Sequence, residues 1–417
     1  MLSRYLHPQI LSYISYVLFT LLLSVQACRP SLNDDANSLY KIEQNVTADN
    51  AMVVSPHPLA TQVGLNVLKN GGNAVDAAIA VQFALAVVYP RAGNIGGGGF
   101  MLIRDAEGKI DALDYREKAP TAAQRDMYLD SLKNVVAGLS IAGHLAAGVP
   151  GTTAGMSSAH SKYGSKAWMS LVRPAVNLAK EGFQITNSEA ARLNRFEDSF
   201  RENCTILPNA FTKTETDWKS GDWLRQGNLA ATLGRIAKAG KAGFYTGETA
   251  KLIVAEMERG NGIISLEDLQ NYKAQWRTPI TTNYKNYRLI SMPPPSSGGV
   301  ALAQMLEMIE PYPLADYGFQ SKEAVHLMTE VERRAFADRA KHLGDSDFYP
   351  VPLDTLLDAT YLEERMSDFS VEAATQSTAI DAGAFKITLE SFETTHTSIV
   401  DKDGMAVSVT TTLNSNF

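Results

Sequence analysis

The chain has 417 residues, of which 45% are hydrophobic and 20% charged, and its formal net charge is −7. This composition fits a globular protein with a sizeable core, and the length allows about two or three domains or one large α/β unit. An acidic balance without a basic patch interleaved with aromatics argues against a nucleic-acid partner.

The first feature along the chain is a targeting signal. Residues 10–25, ILSYISYVLFTLLLSV, follow Arg4 and His7. They are too short and too broken by Ser and Tyr for a membrane span, but suited to the apolar core of an export signal. The stretch ends in Val25-Gln26-Ala27-Cys28, which resembles a bacterial lipoprotein box with an unusual Gln26. The expectation is a signal peptide over 1–27, lipidation of Cys28 and a polar tether over 28–50, with an uncleaved signal anchor as the alternative. Either outcome exports the body of the protein to the periplasm or the cell-envelope membrane. Cys204 is the other cysteine. With Cys28 lipidated no intramolecular disulfide can form, and a lone buried thiol is inert.

Order is expected from Met52. Ser55-Pro56 signals a helix start, and Leu59, Val63 and Val67 lie on one helical face that ends at Gly71-Gly72. Asn73 is placed to cap a second helix, AVDAAIAVQFALAVV, apolar nearly all round and hence central. Strands are predicted over 100–104 and 110–115, joined at Ala106-Glu107-Gly108. Helices follow around 152–163, 166–181 and 227–238, then a strand over 287–292, a helix over 301–309 and a long helix over 321–343. The chain closes with two β-branched runs around Asp401-Lys402-Asp403-Gly404, a β-hairpin pattern.

The glycine run Gly93-Asn94-Ile95-Gly96-Gly97-Gly98-Gly99 follows a helix and precedes a strand, the reverse of dinucleotide and phosphate loops. It reads as a tight backbone passage, against packed elements or against substrate. Residues 293–299, PPPSSGG, lead into a helix N-terminus that could hold an anion or serve only as a rigid turn. Signatures for a serine nucleophile elbow or a zinc site are missing, and neither metal nor cofactor is expected. Arg116 stands at a strand end, where it could hold a carboxylate or pair with Glu117 or Asp114. Thr394 and Thr395 open the last hairpin. A threonine hydroxyl is a poor nucleophile unless a base adjoins it, and proteolysis that frees its own α-amine, of pKa about 7.7–8.0, supplies one. Local pattern alone favours an ordinary β-branched strand.

Five motifs in register change that reading. LKNGGNAVDAA (68–78), GNIGGGGF (93–100), DYRE (114–117), MPPPSSGG (292–299) and TTHTSIVDKDG (394–404) together closely resemble the gamma-glutamyltransferase family. The resemblance implies an α+β fold, the N-terminal-nucleophile hydrolase αββα sandwich. It also implies a precursor that cuts itself at Glu393–Thr394 into a large-subunit region over 51–393 and a small-subunit region from 394. Thr394 would be both the self-cleavage residue and the nucleophile. It would attack a γ-glutamyl amide such as glutathione and pass the acyl group to water, an amino acid or a peptide. Arg116 would bind the substrate carboxylate, Asn414 the substrate's amino end, and Thr412 would hydrogen-bond the nucleophile. The family's small subunit carries further substrate and oxyanion groups not found in these 417 residues, so the sandwich is expected to be incomplete. The chain as it stands is expected to be unprocessed, poorly stable and inactive. The rival readings are an acylase of the same fold acting on glutaryl-type amides and a degenerate, non-catalytic surface lipoprotein.

Overall fold

The computed structural model describes residues 39–40, 45–213, 215–380 and 394–414; the signal stretch, Cys28 and Glu393 lie outside the described residues. At the centre is helix α2 (Ala74–Val88), buried at all of its positions. Its sequence explains both its start and its place. The Asn73 side chain accepts from the Asp76 N–H while the Asp76 carboxylate accepts from the Asn73 N–H, a reciprocal cap that satisfies two otherwise orphan donors. The Ala/Val/Ile/Leu/Phe surface beyond it is interrupted only by Gln82, whose amide is itself buried on the Asn94 carbonyl, so the helix has no polar side to expose. Each of its larger apolar side chains contributes roughly 1.5–3 kcal/mol on burial.

The preceding helix α1 (Pro58–Lys69) starts slightly later than the Ser55-Pro56 signal implies. His57 is its cap, and its Nδ1 accepts from the Leu59 N–H at 3.2 Å. Helices α3 (Thr152–Tyr163), α4 (Trp168–Glu181) and α5 (Gly227–Ala239) complete the layer around α2, close to the predicted bounds.

The main sheet is antiparallel. Its strands are β1 (Met52–Val54), β2 (Gly98–Arg104), β3 (Ile110–Asp114), β4 (Gln275–Arg277), and a C-terminal hairpin described below. A separate hairpin, β5 (Ile280–Tyr284) and β6 (Tyr287–Ser291), leads into α6 (Gly298–Ile309), α7 (Lys322–His342) and α8 (Ala359–Arg365). This second packing unit has its own core of Met308, Leu327, Val331, Ala335 and Leu362. It also buries Arg334, whose guanidinium meets Glu330 at 2.6 Å and Asp368 at 2.5 Å.

The hairpin strands β7 (Thr394–Val400) and β8 (Ala406–Thr412) do not sit at an edge. The sheet order is β1-β7-β8-β2-β3-β4, so the last strands in sequence lie between the first two. Helix α2 packs beneath β7 and β8. Among the described residues no second large sheet covers the opposite face, which gives the helix and sheet layers of an αββα sandwich without its other β layer.

Candidate active site

Strand β7 alternates exposed and buried residues throughout. Successive side chains of a strand point to opposite faces, so Thr395, Thr397 and Ile399 are buried on the α2 side. Thr394, His396 and Ser398 occupy the open face. The two adjacent threonines are therefore not equivalent: Thr395 is core, and Thr394 is presented.

The register of the hairpin then selects the neighbours of Thr394. Its turn is held by Asp401, whose Oδ1 accepts from the Asp403 and Met405 N–H groups at 3.0 Å. Gly404 there has φ 85°, a left-handed value that favours glycine. Asp401 Oδ2 also accepts from the Ala74 N–H at 2.9 Å, tying the turn to the N-terminus of α2. With that turn, Thr412 faces Thr394, and Thr412 in turn faces Gly98 on β2. Directly opposed residues share a face with Cβ atoms about 4.5–5.5 Å apart. Thr412 Oγ1 accepts from the Asn414 N–H at 2.8 Å, across a backbone with φ 77° at Asn414. Thr394, Thr412 and Asn414 thus converge at one end of the sheet.

The next rung pairs His396 with Thr410, and Thr410 with Phe100. His396 Nδ1 lies 2.8 Å from Thr410 Oγ1, and its Nε2 lies 3.1 Å from Ser408 Oγ. Burial pulls its pKa below the ordinary histidine value.

Arg116 follows the end of β3. Its N–H donates to Asp114 Oδ1 at 2.9 Å, and its carbonyl accepts from the Tyr272 hydroxyl at 2.7 Å. The guanidinium lies 5.7 Å over the Phe100 ring and is 45% exposed. Its Nε donates to Glu117 Oε2 at 3.2 Å, so the ion pair considered from sequence is present. The exposed remainder of the fork stays on the Phe100 side, two strands across and two residues along from Thr394, which is about 12 Å at a strand spacing near 4.8 Å and a rise near 3.3 Å per residue. A ground-level support for this loop is Arg277 on β4. It donates to Asp114 at 2.8 Å and meets Asp347 at 2.8 Å. Both partners push its pKa above the ordinary arginine value, the Asp347 hydrogen bond most. Arg277 has no local signal in sequence because its partners lie far away in the chain.

The glycine run takes the packed-element alternative. A Cβ on Gly97 would collide with the Thr412 carbonyl oxygen, and one on Gly99 with the Thr410 carbonyl oxygen. PPPSSGG does not join this sheet. It turns into α6, where a Cβ on Gly299 would collide with the Met292 carbonyl and Ser297 Oγ accepts from Arg339 at 2.9 Å. Cys204 is half-buried, and burial raises its thiol pKa. Among the described residues no cluster of metal-ligating side chains occurs, and no helix is long and apolar enough to cross a membrane.

The α+β fold, an antiparallel sheet over a buried helix layer with Thr394 at the start of a central strand, is that of the N-terminal-nucleophile hydrolases, and solved structures share it. Residues 60–417 match the family model described as Gamma-glutamyltranspeptidase. The chain belongs to that family. It is 45% identical over 382 residues to the glutathione hydrolase proenzyme of Escherichia coli K12, covering 91% of this chain and 66% of that protein. The chain spans 64–66% of the length of the first curated relatives it matches. Its fold is similar to Helicobacter pylori gamma-glutamyltranspeptidase (TM-score 0.78, 42% identity, 83% of this chain and 99% of that one). It is also similar to a cephalosporin acylase from Bacillus halodurans (TM-score 0.76, 25% identity, 93% of this chain and 69% of that one).

Proposed function

We propose that the protein transfers γ-glutamyl groups from glutathione or related γ-glutamyl amides to water, amino acids or peptides, through an ester on Thr394. The observation that carries this reading is the presentation of Thr394 opposite Thr412, with Arg116 on the same open face. In the precursor, Thr394 Oγ attacks the Glu393 carbonyl. The resulting ester takes up water and leaves a free α-amine on Thr394, dividing the chain into regions 51–393 and 394 onward. That amine, with an ordinary pKa of about 7.7–8.0, then takes the hydroxyl proton as Oγ attacks the γ-carbonyl of substrate. The proton passes to the departing amine, and water or an acceptor amine resolves the γ-glutamyl ester. Thr412 orients the nucleophile, Arg116 pairs with the substrate α-carboxylate, and Asn414 receives its amino end.

No step requires a metal or cofactor. Export by the 1–27 signal, with Cys28 as lipid anchor, is part of the same reading and rests on the sequence. The likeness to a cephalosporin acylase supports a second reading, hydrolysis of glutaryl-type amides. The full-length gene product, assayed on γ-glutamyl anilide against glutaryl anilide, is expected to prefer the γ-glutamyl compound. Preference for the glutaryl anilide would replace the first reading with the second.

A further inference from the structure

Asn94 belongs to the glycine-rich run, yet it does not behave as a loop residue. It is 4% exposed and makes hydrogen bonds with both ends of its amide. Its Oδ1 accepts from the Gly97 N–H at 3.0 Å and from Thr152 Oγ1 at 2.6 Å. Because the Gly97 N–H can only donate, it fixes which end of the amide is oxygen. The Nδ2 group lies on the other side, 3.0 Å from the Thr412 carbonyl, 3.0 Å from Thr411 Oγ1 and 3.0 Å from the Ala92 carbonyl. Gln82 of α2 adds a hydrogen bond to the Asn94 carbonyl at 3.1 Å, and Thr411 Oγ1 donates to the Gly98 carbonyl at 2.9 Å.

These contacts meet at the rung that carries Thr394. Thr412, whose carbonyl Asn94 holds, is the cross-strand partner of Thr394 and of Gly98. A Cβ on Gly97 would strike the same carbonyl oxygen, so the close approach that makes glycine necessary there is the approach Asn94 closes. The far end of the hairpin has a different anchor, Asp401 on the α2 N-terminus. About six residues of strand, roughly 20 Å at 3.3 Å per residue, separate the two. A hydrogen bond between buried groups holds position to a few tenths of an ångström, and a misplacement of about 1 Å at a reacting group can cost roughly 100-fold in rate.

We infer that Asn94 is a positioning residue that sets Thr412, and through it Thr394, for attack. This rests on Thr394 being the nucleophile, and self-cleavage provides a readout that does not depend on the γ-glutamyl substrate. The test compares Asn94→Asp, Asn94→Ser and Glu330→Gln in the full-length gene product, following self-cleavage rate, kcat and KM per site labelled by a Thr394-directed inhibitor, and Tm. Asn94→Asp keeps the shape and the oxygen that faces Gly97 but turns a second oxygen onto the Thr412 carbonyl. Expected for it are self-cleavage slowed about tenfold or more and kcat per labelled site reduced by a similar factor, with KM within about twofold of wild type. Asn94→Ser, too short to span to Thr412, gives the same split if the aspartate variant does not fold. Glu330→Gln, which weakens the buried pair with Arg334 in the second packing unit, is expected to lower Tm while its kcat per labelled site stays at the wild-type value. Asn94 variants that cleave and turn over like wild type would overturn the inference, as would losses that follow Tm in all three proteins. A wild-type protein that never cleaves itself would overturn it together with the nucleophile assignment. Cleavage without γ-glutamyl turnover would count against the substrate alone.

Discussion

At the residue scale, the site depends on how identical side chains are made different by their place on a strand. Thr394 and Thr395 are chemically the same, and the two-residue period of β7 makes one a core residue and the other an exposed hydroxyl. Arg116 is similarly divided, with Nε on Glu117 and the rest of its fork over Phe100. If the fork binds substrate, Arg116→Lys keeps the charge but loses the planar bidentate geometry. A steady-state assay on γ-glutamyl anilide should then show KM raised about 10- to 100-fold, as expected for a charged hydrogen bond worth about 1.5–3 kcal/mol, with a smaller change in kcat. An unchanged KM would mean that the pair with Glu117 is its whole role. The identity of Arg116 as a candidate was legible in the DYRE motif. The support beneath it was not, because Arg277 reaches Asp114 across 163 residues and Asp347 across 70.

At the element scale, the parts that sequence reveals best are those whose pattern is local. Helix α2 has its cap and its almost wholly apolar run in one stretch, and the hairpin turn declares itself in Asp401–Gly404. Strand β4, by contrast, is three half-buried residues without alternation, and only pairing with β3 makes it a strand. In sequence Asn94 is only part of a backbone passage, because its partners, Gln82, Thr152, Thr411 and Thr412, come from three other elements. The loop after Arg116 shows the same dependence on distant groups. Asp268, at the start of the short helix Leu266–Asn271, accepts from the Thr121 N–H at 2.8 Å and Thr121 Oγ1 at 2.6 Å. Burial alone would raise its pKa, but the Thr121 and Ser265 hydrogen bonds hold it at about 2. A folded-state pKa below the unfolded value of about 3.9 stabilises the fold above pH 4, and that stability is lost as pH falls toward 2. Thermal melts of wild type and Asp268→Asn should therefore differ by about 2 kcal/mol near pH 6, still differ by about 1 kcal/mol at pH 3, and converge only as pH falls to about 2. A difference that does not change with pH would contradict the ionic role of Asp268.

At the scale of the whole molecule, the order β1-β7-β8-β2 places the C-terminal hairpin between strands from the N-terminal region. A cut before Thr394 would leave β7 laddered to β1 and β8 to β2, with Asp401 still bonded to α2. Chain division and a single folded body are therefore compatible, as the proposed self-cleavage requires. Assignment of Thr394 as the cleavage point and the nucleophile is open to intact-mass measurement and N-terminal sequencing of the full-length gene product and of its Thr394→Ala variant. Expected are two chains in the wild type, the smaller beginning at Thr394, and one undivided chain in the variant. A wild type that stays undivided, a new terminus at Thr395, or a variant that still divides would contradict it.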